Sequence, residues 1–348
     1  MKKLLFALVC VFGLVALTAC EPQTETPAQE AEYKLGMGVV VSTASSTNAK
    51  TAQVDATVAA VVLDSEGKIV SCRIDVAQNK VAVSETGEVT VPEKFETKME
   101  LGDRYGMAGK VDNDNNGVKL EWYAQTKAFE AYVVGMTGTE VAAIETQFVN
   151  NHYIAKDQAL LDAGCSMQIT DFMAAVAKAC ADEFAVTFKT SKEFTLGVSA
   201  NSYNDGSASA TADAAGKVQV YSDFAAVVVV EGKIAAALND CIQPKFAVTT
   251  SGELTATFVG TKRELKEAYG MAGKVDNDNN GVKLEWYVQS AAFSTYVVGM
   301  TGTEVAGLET QFVNNHYIAK DQALLDAGCS MQITGIMAVV AEAFTNAR

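Results

Sequence analysis

The strongest constraint in this sequence is its own repetition. Residues Tyr105–Thr170 recur as Tyr269–Thr334 at a constant offset of 164, and only seven of the 66 positions differ. The chain is a tandem duplication, so its fold must be built twice and any site must be accounted for twice. Upstream the correspondence loosens. YKLGMG at Tyr33 answers FTLGVS at Phe194, AAVVLDSEGKIVSCRID at Ala59 answers AAVVVVEGKIAAALND at Ala225, and TKMEL at Thr97 answers TKREL at Thr261. Each unit therefore has a variable N-terminal half and a nearly invariant C-terminal half, a contrast that recent gene conversion would also produce.

The variable halves read as β structure. Val54–Leu63 and Ile69–Val76 are rich in valine, isoleucine and alanine and flank Ser65-Glu66-Gly67-Lys68, a hairpin turn. Phe224–Val230 and Ile234–Leu238 repeat this around Glu231-Gly232, and GEVTV at Gly87 and GELTATF at Gly252 add strands. The invariant halves read as helical. Trp122, Thr126, Phe129 and Val133 share one helix face ended by Gly135, and Ile169, Phe172, Met173, Val176, Ala177 and Cys180 keep the same period. The expected fold class is α+β, with two tandem homologous domains over residues 33–188 and 189–348. Each is a strand-rich N-terminal half followed by helices.

The first residues, MKKLLFALVCVFGLVALTAC, combine a basic start with an apolar run too short to cross a bilayer, which reads as an export signal over residues 1–19. Leu17-Thr18-Ala19-Cys20 resembles the lipobox of bacterial lipoproteins, implying acylation of Cys20 and anchoring to the outer face of the cell membrane. Residues 20–32, which include EPQTETPAQEAE, are too polar to bury and read as a flexible tether. A formal charge of −15 disfavours nucleic acid as a partner, because both are polyanionic. Of the five cysteines beyond Cys20, Cys72, Cys180 and Cys241 have no counterpart in the other unit, which argues against a shared disulfide framework.

The nonapeptide DAGCSMQIT, at Asp162 and again at Asp326, carries the sharpest functional signal. Gly164 interrupts the preceding segment and Ser166 stands before the amphipathic run, so Ser166 and Ser330 read as helix N-caps. A phosphate at such a helix start would meet free N–H groups and a favourable dipole. Three other constellations compete. Asp112, Asp114, Asn116 and Gly117 match the opening of a calcium loop, yet the twelfth position is Tyr123, or Tyr287 in the second copy, where a glutamate is needed; whether these DNDNNG loops bind calcium stays open. His152 and His316 precede Cys165 and Cys329 but lack any orienting partner, so no catalytic residue and no metal are expected. Trp122, Trp286, His152 and His316 are weaker candidates for packing against a ring.

The order of these features, a strand-rich half with a Gly-Lys hairpin, then AGCS, then a helix, resembles the FMN-binding domain family of the Rnf and Nqr flavoprotein subunits. Ala163-Gly164-Cys165-Ser166 and Ala327-Gly328-Cys329-Ser330 take the place of the family's Ser-Gly-Ala-Thr motif. The resemblance implies two covalent FMN groups, esterified through phosphate to Ser166 and Ser330 by a flavin transferase. Gly164, Cys165, Met167, Gly328, Cys329 and Met331 would then lie around them. The family acceptor is usually threonine, which makes Thr170 and Thr334 the fallback positions. With the lipid anchor, the tandem arrangement is similar to extracellular electron-transfer lipoproteins of Gram-positive bacteria. The implied role is a carrier that relays electrons from a membrane quinol-linked donor to extracellular acceptors. The alternative is a non-redox surface binding lipoprotein whose tandem repeats present a ligand patch.

Overall fold

The computed structural model describes residues 30–348. The expected signal, Cys20 and most of the tether lie outside them. Domain 1 runs β1 (Ala31–Ser42), β2 (Thr51–Leu63), β3 (Ile69–Val83), β4 (Val89–Thr90), α1 (Lys98–Leu101), α2 (Trp122–Tyr132) and α3 (Gly138–Ala142). It continues through β5 (Thr146–Val149), β6 (His152–Ala155), α4 (Gln158–Asp162), α5 (Thr170–Cys180) and β7 (Val186–Thr190). Domain 2 repeats this with β8 (Phe194–Asn204), β9 (Gly216–Val230), β10 (Lys233–Ile242), β11 (Lys245–Val248), β12 (Leu254–Thr257), α6 (Lys262–Leu265) and α7 (Trp286–Tyr296). Its last elements are α8 (Gly302–Ala306), β13 (Thr310–Val313), β14 (His316–Ala319), α9 (Gln322–Asp326) and α10 (Thr334–Thr345).

The α+β class holds, with helices following strands in each half. The first sheet is antiparallel in the order β4-β3-β2-β1-β7, and the second has β10-β9-β11-β12 with β8 also paired to β9. The counterpart of the unbroken β3 is split into β10 and β11. Pro244 stands at the break, where it offers no N–H to a ladder.

Alternate residues along each central strand face opposite ways, and both faces are covered. Val54, Ala56, Val58 and Val62 pack with Leu196, Phe224, Ala226, Val228 and Phe246 into a core lying between the two sheets. Ala59, Val61 and Ile74 point the other way, onto Trp122, Phe129, Phe172 and Val176. In domain 2, Ala225, Val227 and Ile234 meet Trp286, Phe293, Ile336 and Val340. The layers are helices, sheet, sheet, helices, so the invariant halves lie outermost. Among the described residues no helix is long and apolar enough to cross a membrane.

The long helices press on the strands at glycines. A Cβ on Gly36 would lie 2.1 Å from the Ala179 carbonyl oxygen, and one on Gly197 only 1.8 Å from that of Ala343. This close approach makes Ala175 and Ala179 the buried contacts of α5, while Met173, Ala177 and Cys180, expected on that face, are only partly buried.

The contact between domains is also polar. Arg263 donates from Nη2 to Asp182 Oδ1 (2.7 Å) and Oδ2 (2.8 Å), with both side chains almost fully buried, and its guanidinium lies 4.7 Å from the Phe184 ring centre. Asn79 donates to Ser202 Oγ and to Ser222 Oγ, each at 3.0 Å. Arg348 reaches back to the buried Glu130.

Three sequence expectations shift. Strand β1 begins at Ala31, so Ala31 and Glu32, expected in the tether, pair with Thr190 and Lys189. The expected boundary after residue 188 falls inside β7, which closes the domain 1 sheet. The invariant halves also contain a hairpin, β5–β6, turned by Asn150 and Asn151 at φ of 50° and 65°, an Asn pair suited to a tight turn with both central φ values positive.

Candidate functional site

The nonapeptide is held by side chains from two other segments of the invariant half. Helix α4 ends at Asp162, and Gly164 follows with φ of 91°, where a Cβ would sit 2.5 Å from Leu120 Cδ1. Only glycine fits this backbone without displacing Leu120. The chain then passes under α2, whose buried Gln125 accepts the N–H groups of Ser166 and Met167 at Oε1, both at 3.0 Å, and donates from Nε2 to the Leu120 carbonyl at 3.0 Å. Asn113 donates to the Ser166 carbonyl at 2.8 Å. In domain 2, Gln289 accepts from Ser330 and Met331 at 2.9 Å each, and Asn277 donates to the Ser330 carbonyl at 2.9 Å. Every backbone polar group in these contacts is satisfied by an amide side chain, which fixes the segment in one conformation.

The expected N-cap role does not hold. Helix α5 begins at Thr170 with Ile169 as its N-cap, and α10 begins at Thr334 after Ile333, neither with a side-chain cap. The clamp by Gln125 keeps Ser166 in the preceding loop, four residues short of the helix. Its hydroxyl is buried and has no hydrogen-bond partner, a costly arrangement for a polar group. Ser330 is buried as well, whereas Thr170 and Thr334 are half-buried at the helix starts. Burial pushes the Cys165 and Cys329 thiols up to about 12, so neither is a thiolate near neutral pH. His152 and His316 are exposed at the starts of β6 and β14.

Beside this segment in domain 2 opens a cleft of about 650 Å³, a size that suits a mononucleotide-sized ligand. Tyr203, Tyr221, Tyr269 and Trp286 supply its rings, and Met331, Gln332, Gly335 and Ile336 also line it. Of the sequence candidates, Trp286, His316 and Met331 line it, and Asn277 joins it to the clamped Ser330. Lys262 also lines it, with Nζ 5.1 Å from the Tyr269 ring centre, 5.3 Å from Trp286 and 5.7 Å from Tyr221. Desolvation works against that ammonium, but Cys241, Tyr269 and Asp223 around it raise its pKa overall. The corresponding Lys98 of domain 1 lies 5.0 Å from Tyr105 and 5.5 Å from Trp122.

The sequence reading missed Gln125 and Gln289, Asn113 and Asn277, and the lysine pair Lys98 and Lys262. The signal was present for the lysines, since TKMEL and TKREL are matched islands in the variable halves. The DNDNNG loop is self-tied only in part, since both Asp114 carboxylate oxygens are buried without a hydrogen-bond partner, as is one oxygen each of Asp276 and Asp278. Asp112 accepts the N–H groups of Asn116 and Gly117 at 3.1 Å each, and Asn116 accepts that of Val118 at 2.7 Å. Among the described residues no cluster of three histidine, cysteine or acidic side chains is arranged to hold a metal ion. The five described cysteines beyond Cys20 are unpaired.

No family model matches the chain, and no curated protein or solved structure matches it either.

Proposed function

We propose that this chain is a lipid-anchored extracellular electron carrier bearing two covalent FMN groups, one per domain. The reading is supported chiefly by the buried, unpartnered Ser166 hydroxyl, held in a segment that both copies clamp in the same way. A phosphoester on that oxygen would replace the O–H donor, which has no acceptor there. Attachment at Ser166 or Ser330 requires the loop to open to the transferase, since both are buried, while Thr170 and Thr334 are reached with less movement.

The residues of the domain 2 cleft fit the group. Trp286, Tyr269, Tyr221 and Tyr203 offer ring faces, and the Lys262 ammonium offers a positive charge to an electron-rich ring or a phosphate. A bound flavin supplies redox chemistry by taking up and releasing electrons singly or in pairs, while the protein supplies position and electrostatics. Donor and acceptor would be a membrane quinol-linked assembly and an extracellular oxidant.

Intact-mass measurement on protein co-expressed with a flavin transferase tests this. Two additions, each matching an esterified FMN, are expected. Ser166→Ala with Ser330→Ala should abolish both, and retention with loss in Thr170→Ala and Thr334→Ala would move the attachment. An unmodified mass in the native host and on co-expression sinks the redox reading. One observation favours the alternative surface-binding role. The exposed rings Phe148 and Tyr153 pack together at 4.9 Å, and Phe312 and Tyr317 repeat this, so each domain displays an apolar pair.

A further inference from the structure

The two candidate sites share their inner walls but not their outer ones. The inner walls come from the invariant halves: Tyr105 and Tyr269, Trp122 and Trp286, with Lys98 and Lys262 added from the short helices. The outer walls come from paired strands. In domain 2, Tyr203 of β8 lies opposite Tyr221 of β9, and the rings meet edge-on at 5.7 Å. In domain 1 the same place in the register pairs Ser42 of β1 with Asp55 of β2. Two further positions change together. Domain 2 has Asp223 facing Gly335, where a Cβ would lie 2.1 Å from Asp223 Oδ2, and domain 1 has Thr57 and Asp171.

We propose that the two sites grip a planar heteroaromatic ring unequally, with Tyr203 and Tyr221 making domain 2 the ring-stacking site and Ser42 and Asp55 leaving the domain 1 ring exposed. This rests on the flavin reading for the identity of the ring. Two tyrosines add polarisable faces to the cleft, and Lys262 counters the charge of Asp223, which also lines it. In domain 1, Asp55 instead brings a carboxylate, held by Gln53 and Gln78, near Asp171, so the wall offers no ring face. Stacking of this kind is worth roughly tenfold in affinity.

The test uses the full chain without covalent flavin, titrated with free FMN and followed by quenching of flavin fluorescence. One tight site is expected, with the second weaker by about tenfold or more. Tyr203→Leu with Tyr221→Leu should remove the tight site, while Tyr203→Phe with Tyr221→Phe should keep it. Ser42→Tyr with Asp55→Tyr should strengthen the weak one. Ribose 5-phosphate, which has no ring, should not compete at concentrations where riboflavin does. Two equal sites, no binding, or a tight site indifferent to the leucine changes would overturn the proposal. Intact mass separates this from the carrier reading: two esterified flavins with equal binding sites leave the carrier standing without this inference. No esterified flavin with a tyrosine-dependent tight site leaves the ring site standing without the carrier.

Discussion

Asp182 in domain 1 and Asn346 in domain 2 hold the same place after their last long helix, yet they are used differently. Asp182 accepts the Met37 N–H at 3.0 Å and the buried Arg263 guanidinium of the other domain. Asn346 donates to the Val198 carbonyl within its own domain at 3.3 Å. The counterpart of Arg263 in domain 1 is Met99, so the ion pair exists once. The same holds for Asn79, Ser202 and Ser222, and for Glu130 with Arg348. Two packed sheets need complementary surfaces, and complementarity asks different residues of each. The invariant halves face mostly outward and meet that demand at few points, among them Glu130 with Arg348 and Tyr287 against the Phe184 ring. Their near-identity thus coincides with a like environment, and the drift of the strand halves with an unlike one.

This contrast can be broken experimentally, and the interface should respond most. Arg263→Ala leaves Asp182 buried and uncompensated, and a loss of about 3–5 kcal/mol is expected from denaturant unfolding. Asp182→Leu combined with Arg263→Met should recover most of it. A single substitution costing under ~1 kcal/mol would show the pair to be irrelevant to joining the domains. Gly197→Val should cost about 3 kcal/mol by driving α10 off β8. Because the core between the sheets belongs to both copies, calorimetry should show one transition displaced downward, and two separate transitions would show independent folding units.

Acidity gives a smaller handle. Burial pushes the Asp75 carboxyl up to about 6, against hydrogen bonds from Thr97, Val76 and Met99. Its folded pKa lies above its unfolded one, so between about pH 4 and about pH 6 the folded state keeps a proton that the unfolded chain has lost. This group's contribution therefore falls as pH rises through that window, by at most about 1.4 kcal/mol per pH unit. Asp75→Asn should flatten the dependence measured by urea unfolding at pH 4 and pH 6.5, and an unchanged slope would assign it to other groups. The smallest expected effect is also the most symmetric. Gln125→Ala and Gln289→Ala each strand two N–H groups, at about 1–2 kcal/mol. Near-equal costs in the two domains are expected, and a difference above ~1 kcal/mol would show that the outer walls reach the clamp.

Much of this was legible beforehand. Trp122, Phe129 and Phe172 lie at helical spacing and are buried, and the Ser65–Lys68 turn joins two long strands. Ser166 misled because serine before an apolar run signals an N-cap, while Gln125, forty-one residues earlier, holds its N–H in the loop. The β5–β6 hairpin was hidden by an Asn-Asn turn within a segment otherwise read as helical. Tyr203 and Tyr221 carried no signal, because their meeting depends on strand register across a long intervening loop.

The sequence by itself determined that the architecture is doubled, that a strand-rich half precedes the long helices in each copy, and which nine residues recur around a hydroxyl. Those are local or self-comparative properties, set by periodicity, turn chemistry and repetition. Only the tertiary structure decided that the strand halves form one shared core, that Gln125 and Asn113 fix the nonapeptide with its hydroxyl unpartnered, and that one copy walls its cleft with tyrosine. Strands such as β2 are buried on both faces, so their apolar runs lose the alternation that would say which side meets a helix and which the other sheet.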